Sequence, residues 1–170
     1  MEKWDILNSN GRHVGKTVVR GKSILSSGEY HLVVHIWVES DDGKYLIQRR
    51  SEQKRLMPGE WAATGGAAVA GEDSFTAARR ELLEELGIKS TAETLKFVQR
   101  IKRRNAFVDI WKIKTNISVS ELTLQKNEVS SAKWVDKDTL LQMIKEGKFH
   151  DYGKYYWDVV LGVREKAEVK

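Results

Sequence analysis

Residues Gly66 to Ile88 read GAAVAGEDSFTAARRELLEELGI and contain the clearest structural pattern of the chain. The first part of this stretch is rich in small residues and predicts a loop, whereas its second part has the apolar spacing of a helix. Asp73 or Ser74 can cap that helix at its N-terminus, and Gly87 can end it. The sequence therefore predicts a loop followed by a helix over Ser74–Leu86.

The predicted helix carries an apolar stripe and an acidic stripe side by side. Glu81, Glu84 and Glu85 fall on the acidic stripe, because residues three and four apart are neighbours on a helix. Only Arg80 is close enough in sequence to neutralise these carboxylates. Clustered oxygen ligands suit a hard cation, although such a face can also simply be solvated. The apolar stripe, which predicts the face packed on the core, contains Phe75, Ala78, Leu82 and Leu86.

The spacing of the whole stretch favours the metal-binding interpretation. Gly66 is followed after five residues by Glu72, and seven further residues lead to Arg80. Together with the glutamates and Gly87, these 23 residues are similar at every specified position to the Nudix box. The sequence therefore resembles the Nudix hydrolases, and the resemblance extends from about Tyr30 to Ile144.

The resemblance implies a role for each charged residue of the box. Glu81, Glu84 and Glu85 are implied to bind the metal, and one of them also to help activate water. Arg80 is implied to orient these glutamates, and the carbonyl group of Gly65 to serve as a further metal ligand. The implied cofactor is Mg²⁺, with Mn²⁺ as an alternative, because the ligands are oxygen atoms.

Further residues enter as candidates for the site. Glu72 is implied to tie the loop to the helix, and Gly66 to permit a tight turn. Glu128 precedes a short predicted strand, where many family members carry a metal-binding or general-base glutamate, and the alternative is a solvated loop residue. Arg49 and Arg50 end another predicted strand, and alternation places them on opposite faces, so that one of them can reach a substrate.

The rest of the chain predicts strands mixed with about three helices. The expected class is α/β (α+β), and the resemblance implies the Nudix fold, a mixed β-sheet sandwiched between α-helices. We expect a single domain over residues 1–170, with residues 1–30 as an N-terminal β extension. Strands are predicted over residues 4–7, 15–20, 31–38, 45–49, 61–64, 94–102, 107–114 and 128–135, and further helices over 136–144 and 155–166.

Composition narrows the function classes. The 170 residues include no cysteine, which excludes disulfides, thiolate zinc sites and cysteine nucleophiles. No apolar run is long enough for a membrane span, and the first residues do not resemble a signal peptide, so a cytoplasmic protein with no membrane partner is expected. The net charge of +5 suits an anionic small molecule or nucleic acid and does not distinguish between them. The basic residues 100–104 straddle a predicted turn and are either solvated or attract phosphate groups.

Segments outside the box resemble type I isopentenyl-diphosphate isomerases. Those enzymes use a cysteine just before the first glycine of their box and a histidine just after it, and the matching positions here are Gly65 and Ala67.

The intact box and the missing cysteine together predict Mg²⁺-dependent hydrolysis of a diphosphate linkage in a nucleoside di- or triphosphate or a related conjugate. The alternatives are an isomerase-like protein and a non-catalytic module that binds nucleotides or RNA. Nucleic acid is not expected as a partner of the hydrolase, and a homodimer stays open.

Overall fold

The computed structural model describes residues 1–162. Within them the strands are β1 (Lys3–Leu7), β2 (His13–Val19), β3 (His31–Glu39), β4 (Tyr45–Arg50), β5 (Trp61–Ala62), β6 (Thr64–Ala67), β7 (Leu95–Lys102), β8 (Ala106–Lys114) and β9 (Val129–Val135). The α-helices are α1 (Ser74–Leu86), α2 (Lys137–Lys145) and α3 (Lys154–Leu161), and a short 3-10 helix spans Val119–Glu121. Among these helices none combines the length and the apolar character that a membrane span requires.

A seven-stranded mixed sheet forms the centre of the described residues. Its main path runs β5-β4-β3-β8-β7, while β6 pairs with β3 and β9 pairs with β4. The central pair, β3 and β8, is parallel, whereas the other pairs are antiparallel. The predicted mixed sheet is therefore confirmed.

Helices cover both faces of this sheet, which confirms the predicted sandwich. Helix α1 packs on one face, where its apolar side chains meet Val34, Ile36 and Val38 of β3. Helices α2 and α3 pack on the opposite face, against Trp37 and Ile47. Two separate apolar cores result, because alternate residues of a strand point to opposite faces of the sheet.

Helix α1 has the bounds that the sequence predicts. The Asp73 side chain accepts a hydrogen bond from the Thr76 backbone N–H at 2.7 Å, which satisfies one of the free N–H groups of the first turn. Gly87 ends the helix in the left-handed conformation, with φ of 72°. Leu82 and Leu86 are fully buried, as the apolar stripe predicts.

Two sequence-based expectations about secondary structure are wrong. Gly66, expected in a loop, belongs to strand β6 together with Gly65, and the two glycines pair with Val34 and His35 of β3. A Cβ atom at Gly65 would collide with the Val34 carbonyl group, so glycine is what lets β6 approach β3. Helix α3 ends at Leu161, because Gly162 adopts φ of 65°; residues 163–166 of the predicted helix lie outside the described residues.

The sheet divides between β3 and β4, and this division positions the site. The two strands pair only where Val38 and Glu39 lie opposite Leu46 and Tyr45. Farther along, β3 takes β6 as its partner and β4 takes β5 instead. A cavity of about 500 Å³ opens in this region and is lined from both sides.

Residues 1–28 contribute a separate two-stranded sheet, formed by β1 and β2. This hairpin joins the main body at Leu7 and Tyr30, whose backbones exchange hydrogen bonds of 2.8 and 3.0 Å. It reproduces the small β element predicted for the N-terminal residues.

Candidate active site

Arg80 is the centre of a hydrogen-bond network within the box. Its guanidinium donates to both carboxylate oxygens of Glu72, from Nε at 2.7 Å and from Nη2 at 3.0 Å. Nη1 donates to Glu81 at 2.9 Å and to Glu84 at 3.2 Å. Glu72 also accepts from the Val69 backbone N–H at 2.9 Å. Glu72 therefore ties the loop to the helix, and Arg80 fixes the positions of two glutamates on α1.

Glu85 is the buried member of the acidic stripe, with 6% of its surface exposed. Its Oε2 atom accepts hydrogen bonds from the Gln48 side chain at 2.6 Å and from the Gly65 backbone N–H at 3.2 Å. Gln48 also donates to the Thr64 hydroxyl at 2.8 Å. Burial, and then the negative charge of Glu81, raise the pKa of Glu85 to about 8, although these donors oppose the shift.

Glu81 lies against the backbone of β6. A Cβ atom at Gly66 would lie 2.7 Å from Cδ of Glu81, so only glycine leaves room for this carboxylate. Burial raises the pKa of Glu81, and the charges of Glu84 and Glu128 add to the increase, while Arg80 opposes it. The tight turn expected at Gly66 is therefore wrong: the glycine lies in a strand, and the Glu81 carboxylate is what requires it.

The cavity collects the predicted site residues from three parts of the chain. Glu128 enters from the loop before β9, and its carboxylate pairs with the Lys54 ammonium group. Among residues 1–162, no three histidine, aspartate or glutamate side chains are arranged around a common point as a metal site. All of the residues predicted to bind the metal or to orient its ligands line the cavity, namely Gly65, Arg80, Glu81, Glu84, Glu85 and Glu128.

The chemistry of these residues fits an oxygen-preferring divalent cation. Glu81 and Glu85 are mostly buried, and the negative charge of Glu81 opposes the ionisation of Glu85. Glu128 adds a further negative charge to both. A cation that shared their oxygens would offset this repulsion and favour the ionised carboxylates.

The two consecutive arginines at the end of β4 face different cavities, as strand alternation predicts. Arg50 lines the cavity that contains the box, whereas Arg49 lines a second cavity of about 930 Å³. Arg50 donates from Nε to the Leu56 carbonyl at 3.0 Å. Among the described residues, no carboxylate forms an ion pair with Arg50, whereas Arg49 lies 3.4 Å from Glu52.

The basic residues 100–104 serve the fold. Arg100 donates to both oxygens of Asp109, at 2.7 and 2.9 Å, and Asp109 is only 1% exposed. Lys102 donates to the Ser9 carbonyl at 2.9 Å, and Arg103 donates to the Tyr152 carbonyl. None of the residues 100–104 is among the described residues that line the cavity of the box. Arg100, Lys102 and Arg103 therefore make contacts within the fold, and the attraction of phosphate groups by this basic turn stays a prediction.

Sequence reasoning missed several residues that support Glu85 or line the cavity. Gln48 holds Glu85, and a signal for it existed, since alternation places its side chain on the same face of β4 as Arg50. Trp4 and Arg20 line the cavity from the N-terminal hairpin, far from the box in sequence. No local pattern marks these two residues, because their position depends on how the hairpin packs.

Comparison with known proteins places this arrangement in a family. A sequence model described as the NUDIX domain matches residues 29–157. An uncharacterized Nudix hydrolase of Listeria monocytogenes is 39% identical over 153 residues, which cover 89% of this chain and 90% of the relative. A crystal structure from Deinococcus radiodurans has a TM-score of 0.78 at 24% identity, covering 96% of this chain and 100% of that one. The NUDIX domain of NrtR from Shewanella oneidensis, solved with ADP ribose, has a TM-score of 0.55 at 17% identity, covering 73% and 82%.

Proposed function

We propose a reaction for this chain, which belongs to the Nudix hydrolases. It cleaves a diphosphate linkage in a nucleoside di- or triphosphate or a related diphosphate conjugate, with Mg²⁺ or Mn²⁺ as cofactor. One observation carries the proposal. The carboxylates of Glu81, Glu84, Glu85 and Glu128 line a single cavity that also contains an arginine without a carboxylate partner among the described residues.

The metal ligands in this proposal are the four glutamates and the carbonyl group of Gly65. When bound, the metal supplies Lewis-acid chemistry: it draws charge from phosphoryl oxygens and lowers the pKa of a water. Arg80 keeps Glu81 and Glu84 in place through its hydrogen bonds, and Gln48 does so for Glu85. These contacts reduce the freedom that the carboxylates would lose on binding a cation.

Arg50 and Lys54 bind the diphosphate oxygens of the substrate. Arg50 already lines the cavity, and its terminal nitrogens have no ion-pair partner among the described residues. Lys54 is held beside the site by Glu128. Glu128, one of the four proposed metal ligands, is also our candidate for the base that accepts a proton from the attacking water.

Two features favour a hydrolase over the alternatives from the sequence. Gly65 and Ala67 occupy the positions of the isomerase cysteine and histidine, and neither side chain can donate or accept a proton. Every glutamate of the box is retained, and the three on α1 line the cavity. The solved relative that binds ADP ribose gives a reason to include nucleoside diphosphate conjugates among the substrates tested.

The experiment is a substrate screen of the purified chain with Mg²⁺, Mn²⁺ or a chelator. Released phosphate, pyrophosphate and nucleoside monophosphate are measured for nucleoside di- and triphosphates and for conjugates such as ADP ribose. Metal-dependent cleavage of at least one compound supports the proposal. Binding of nucleotides without cleavage under all metal conditions would instead favour a non-catalytic module.

A further inference from the structure

The N-terminal hairpin forms part of the cavity wall although it lies outside the region that the NUDIX model matches. The model begins at residue 29, whereas Glu2, Trp4 and Arg20 line the same cavity as the box glutamates. The hairpin is therefore a feature of this chain that is added to the matched region and reaches its site.

Strand β1 is attached to the loop that precedes α1. The Ala70 backbone N–H donates to the Lys3 carbonyl at 2.8 Å, and the Gly71 backbone N–H donates to the Asp5 carboxylate at 2.7 Å. Trp4 lies between these two anchored residues, so its indole has a fixed place relative to the box.

The hairpin brings an aromatic pair and a cation to the cavity. The indole of Trp4 stacks on the imidazole of His31, with ring centroids 3.9 Å apart and planes 8° from parallel. Glu2 accepts hydrogen bonds from the indole N–H at 3.0 Å and from Arg20 at 3.2 Å. The Arg20 guanidinium lies 5.9 Å from the Trp4 ring centre. Burial, and then the charge of Arg20, lower the pKa of His31 to about 4, which keeps the imidazole neutral at neutral pH.

The spacing along β3 relates this aromatic pair to the box. His31, Val33 and His35 line the cavity together, because alternate residues of the strand share a face. Val33 lies opposite Ala67, next to the glycine that accommodates Glu81. His31 lies two residues away, which is about 7 Å along an extended strand. This separation is comparable with the length of the ribose that joins a phosphate group to a base.

We propose that Trp4, His31 and Arg20 form a subsite that binds the nucleobase of the substrate, while the box and Arg50 bind its diphosphate. The inference rests on the proposed function, and it adds the location and the residues of base recognition. Stacking on aromatic rings and contact with a guanidinium are the interactions that bind bases of any sequence. The hairpin therefore selects substrates with a planar base, and it discriminates weakly between different bases.

Kinetics with and without a base test this inference. The substrates are ADP, GDP, CDP and UDP, together with ribose 5-diphosphate, which has no base. Trp4→Ala should raise KM for the nucleoside diphosphates by about 30-fold, the middle of the range for one stacked base. Its kcat should stay within about twofold, and KM for ribose 5-diphosphate should not change, because the residue does not touch the reacting atoms.

Three further variants separate recognition from folding. Trp4→Phe keeps an aromatic ring and should recover most of the lost affinity. Arg20→Gln, at an exposed position, should raise KM for nucleoside diphosphates by about two- to fivefold, even if Trp4→Ala fails to fold. Val14→Ser is the matched control, since Val14 is exposed on the same hairpin and does not line the cavity.

The outcomes distinguish this inference from the proposed function. Equal KM values for wild-type protein with ribose 5-diphosphate and with nucleoside diphosphates would overturn the subsite and leave the hydrolase proposal intact. An equal loss with both kinds of substrate in Trp4→Ala would also overturn it, since the hairpin would then support only the structure. If the wild-type protein cleaved no diphosphate compound, the result would count against the hydrolase proposal. Binding of ADP at the subsite would then be tested on its own, by titrating the tryptophan fluorescence of wild-type and Trp4→Phe protein with ADP.

Discussion

The Glu81 carboxylate occupies the space where any residue other than glycine at position 66 would place its Cβ atom. Glu81 is on α1 and Gly66 is on β6, so one contact couples the helix to the strand beside it. Glycine is therefore needed at position 66 because it leaves room for a carboxylate, and its own backbone conformation is not the reason. This relationship gives the first of five predictions.

Gly66→Ala should displace Glu81 while the fold persists, because the colliding atoms belong to the far end of a flexible side chain. We expect the Mg²⁺ concentration needed for half-maximal activity to rise by about 10- to 100-fold, the usual effect of losing support around a metal ligand. The thermal midpoint should change little. Leu83→Ala, at an exposed position on α1, is the control. An unchanged Mg²⁺ dependence in Gly66→Ala would show that Glu81 does not bind the metal.

Glu84→Gln and Glu85→Gln should each lower kcat by more than about 100-fold, beyond the range typical of residues that only support a ligand. Glutamine keeps the size of the side chain and removes the charge that holds a divalent cation. Activity is measured across Mg²⁺ concentrations, and circular dichroism checks the fold. Glu93→Gln, outside the cavity, is the control. Wild-type turnover with unchanged Mg²⁺ dependence in either variant would contradict the assignment of that residue to the metal.

The two arginines at the end of β4 provide a matched pair. Arg50→Gln should raise KM for the diphosphate substrate by about 10- to 100-fold, since a charge-assisted hydrogen bond to a phosphate oxygen is lost. Arg49→Gln should leave KM nearly unchanged, because Arg49 lines the cavity on the other side. Initial rates over a range of substrate concentrations give both values. Equal effects of the two substitutions would argue for a general loss of positive charge instead of a contact with Arg50.

His35 should make the metal-free protein sensitive to acid. Burial lowers the pKa of His35 to about 3, and Nδ1 is 2.7 Å from the Tyr156 hydroxyl. The unfolded chain takes up the proton near the ordinary pKa of about 6.5. The contribution of His35 to the free energy of unfolding is therefore fully present above that pH and decreases as the pH falls, by up to about 2 kcal/mol at pH 5. The raised pKa of Glu85 acts in the opposite direction in the metal-free protein, since it favours folding more strongly as the pH falls.

Urea denaturation with a chelator, between pH 5 and pH 8, measures this dependence. His35→Gln removes the titrating group, so the difference in free energy of unfolding between the two proteins should shift in favour of the variant by up to about 2 kcal/mol as the pH falls from 8 to 5. His31, whose pKa is also lowered, to about 4, leaves part of the dependence in the variant. Parallel curves for wild-type and variant protein would mean that His35 titrates alike in the folded and unfolded chain.

The chain should not isomerise isopentenyl diphosphate. That reaction needs a proton donor and a proton acceptor on opposite faces of the allylic system, and Gly65 offers only backbone atoms at the matching position. Incubation in D₂O with Mg²⁺, followed by mass spectrometry, should detect no deuterium in isopentenyl diphosphate. Incorporation with turnover, in a protein that cleaves no nucleotide, would reverse the order of the two functions.

Local sequence was enough to predict helix α1, the glutamates that share one of its faces, and the opposite directions of the two arginines on β4. The helix is bounded by Asp73 and Gly87, which act on the backbone next to them, and its buried side chains follow from the 3.6-residue period. The box glutamates could be named for the same reason, since helical spacing alone puts them side by side. The alternation of Arg49 and Arg50 was equally predictable, because it follows from strand geometry.

The remaining features of the site depend on contacts between segments that are distant in sequence, and local patterns do not encode such contacts. Gly66 was expected in a loop because small residues have weak strand preferences, and its strand exists only through pairing with β3. Gln48 was not recognised as the partner of Glu85, 37 residues away. Helical spacing in the sequence is enough to show which carboxylates share a face of α1. Glu128 and Trp4 reach the same cavity only in the folded protein, because their positions depend on how separate elements pack around the divided sheet.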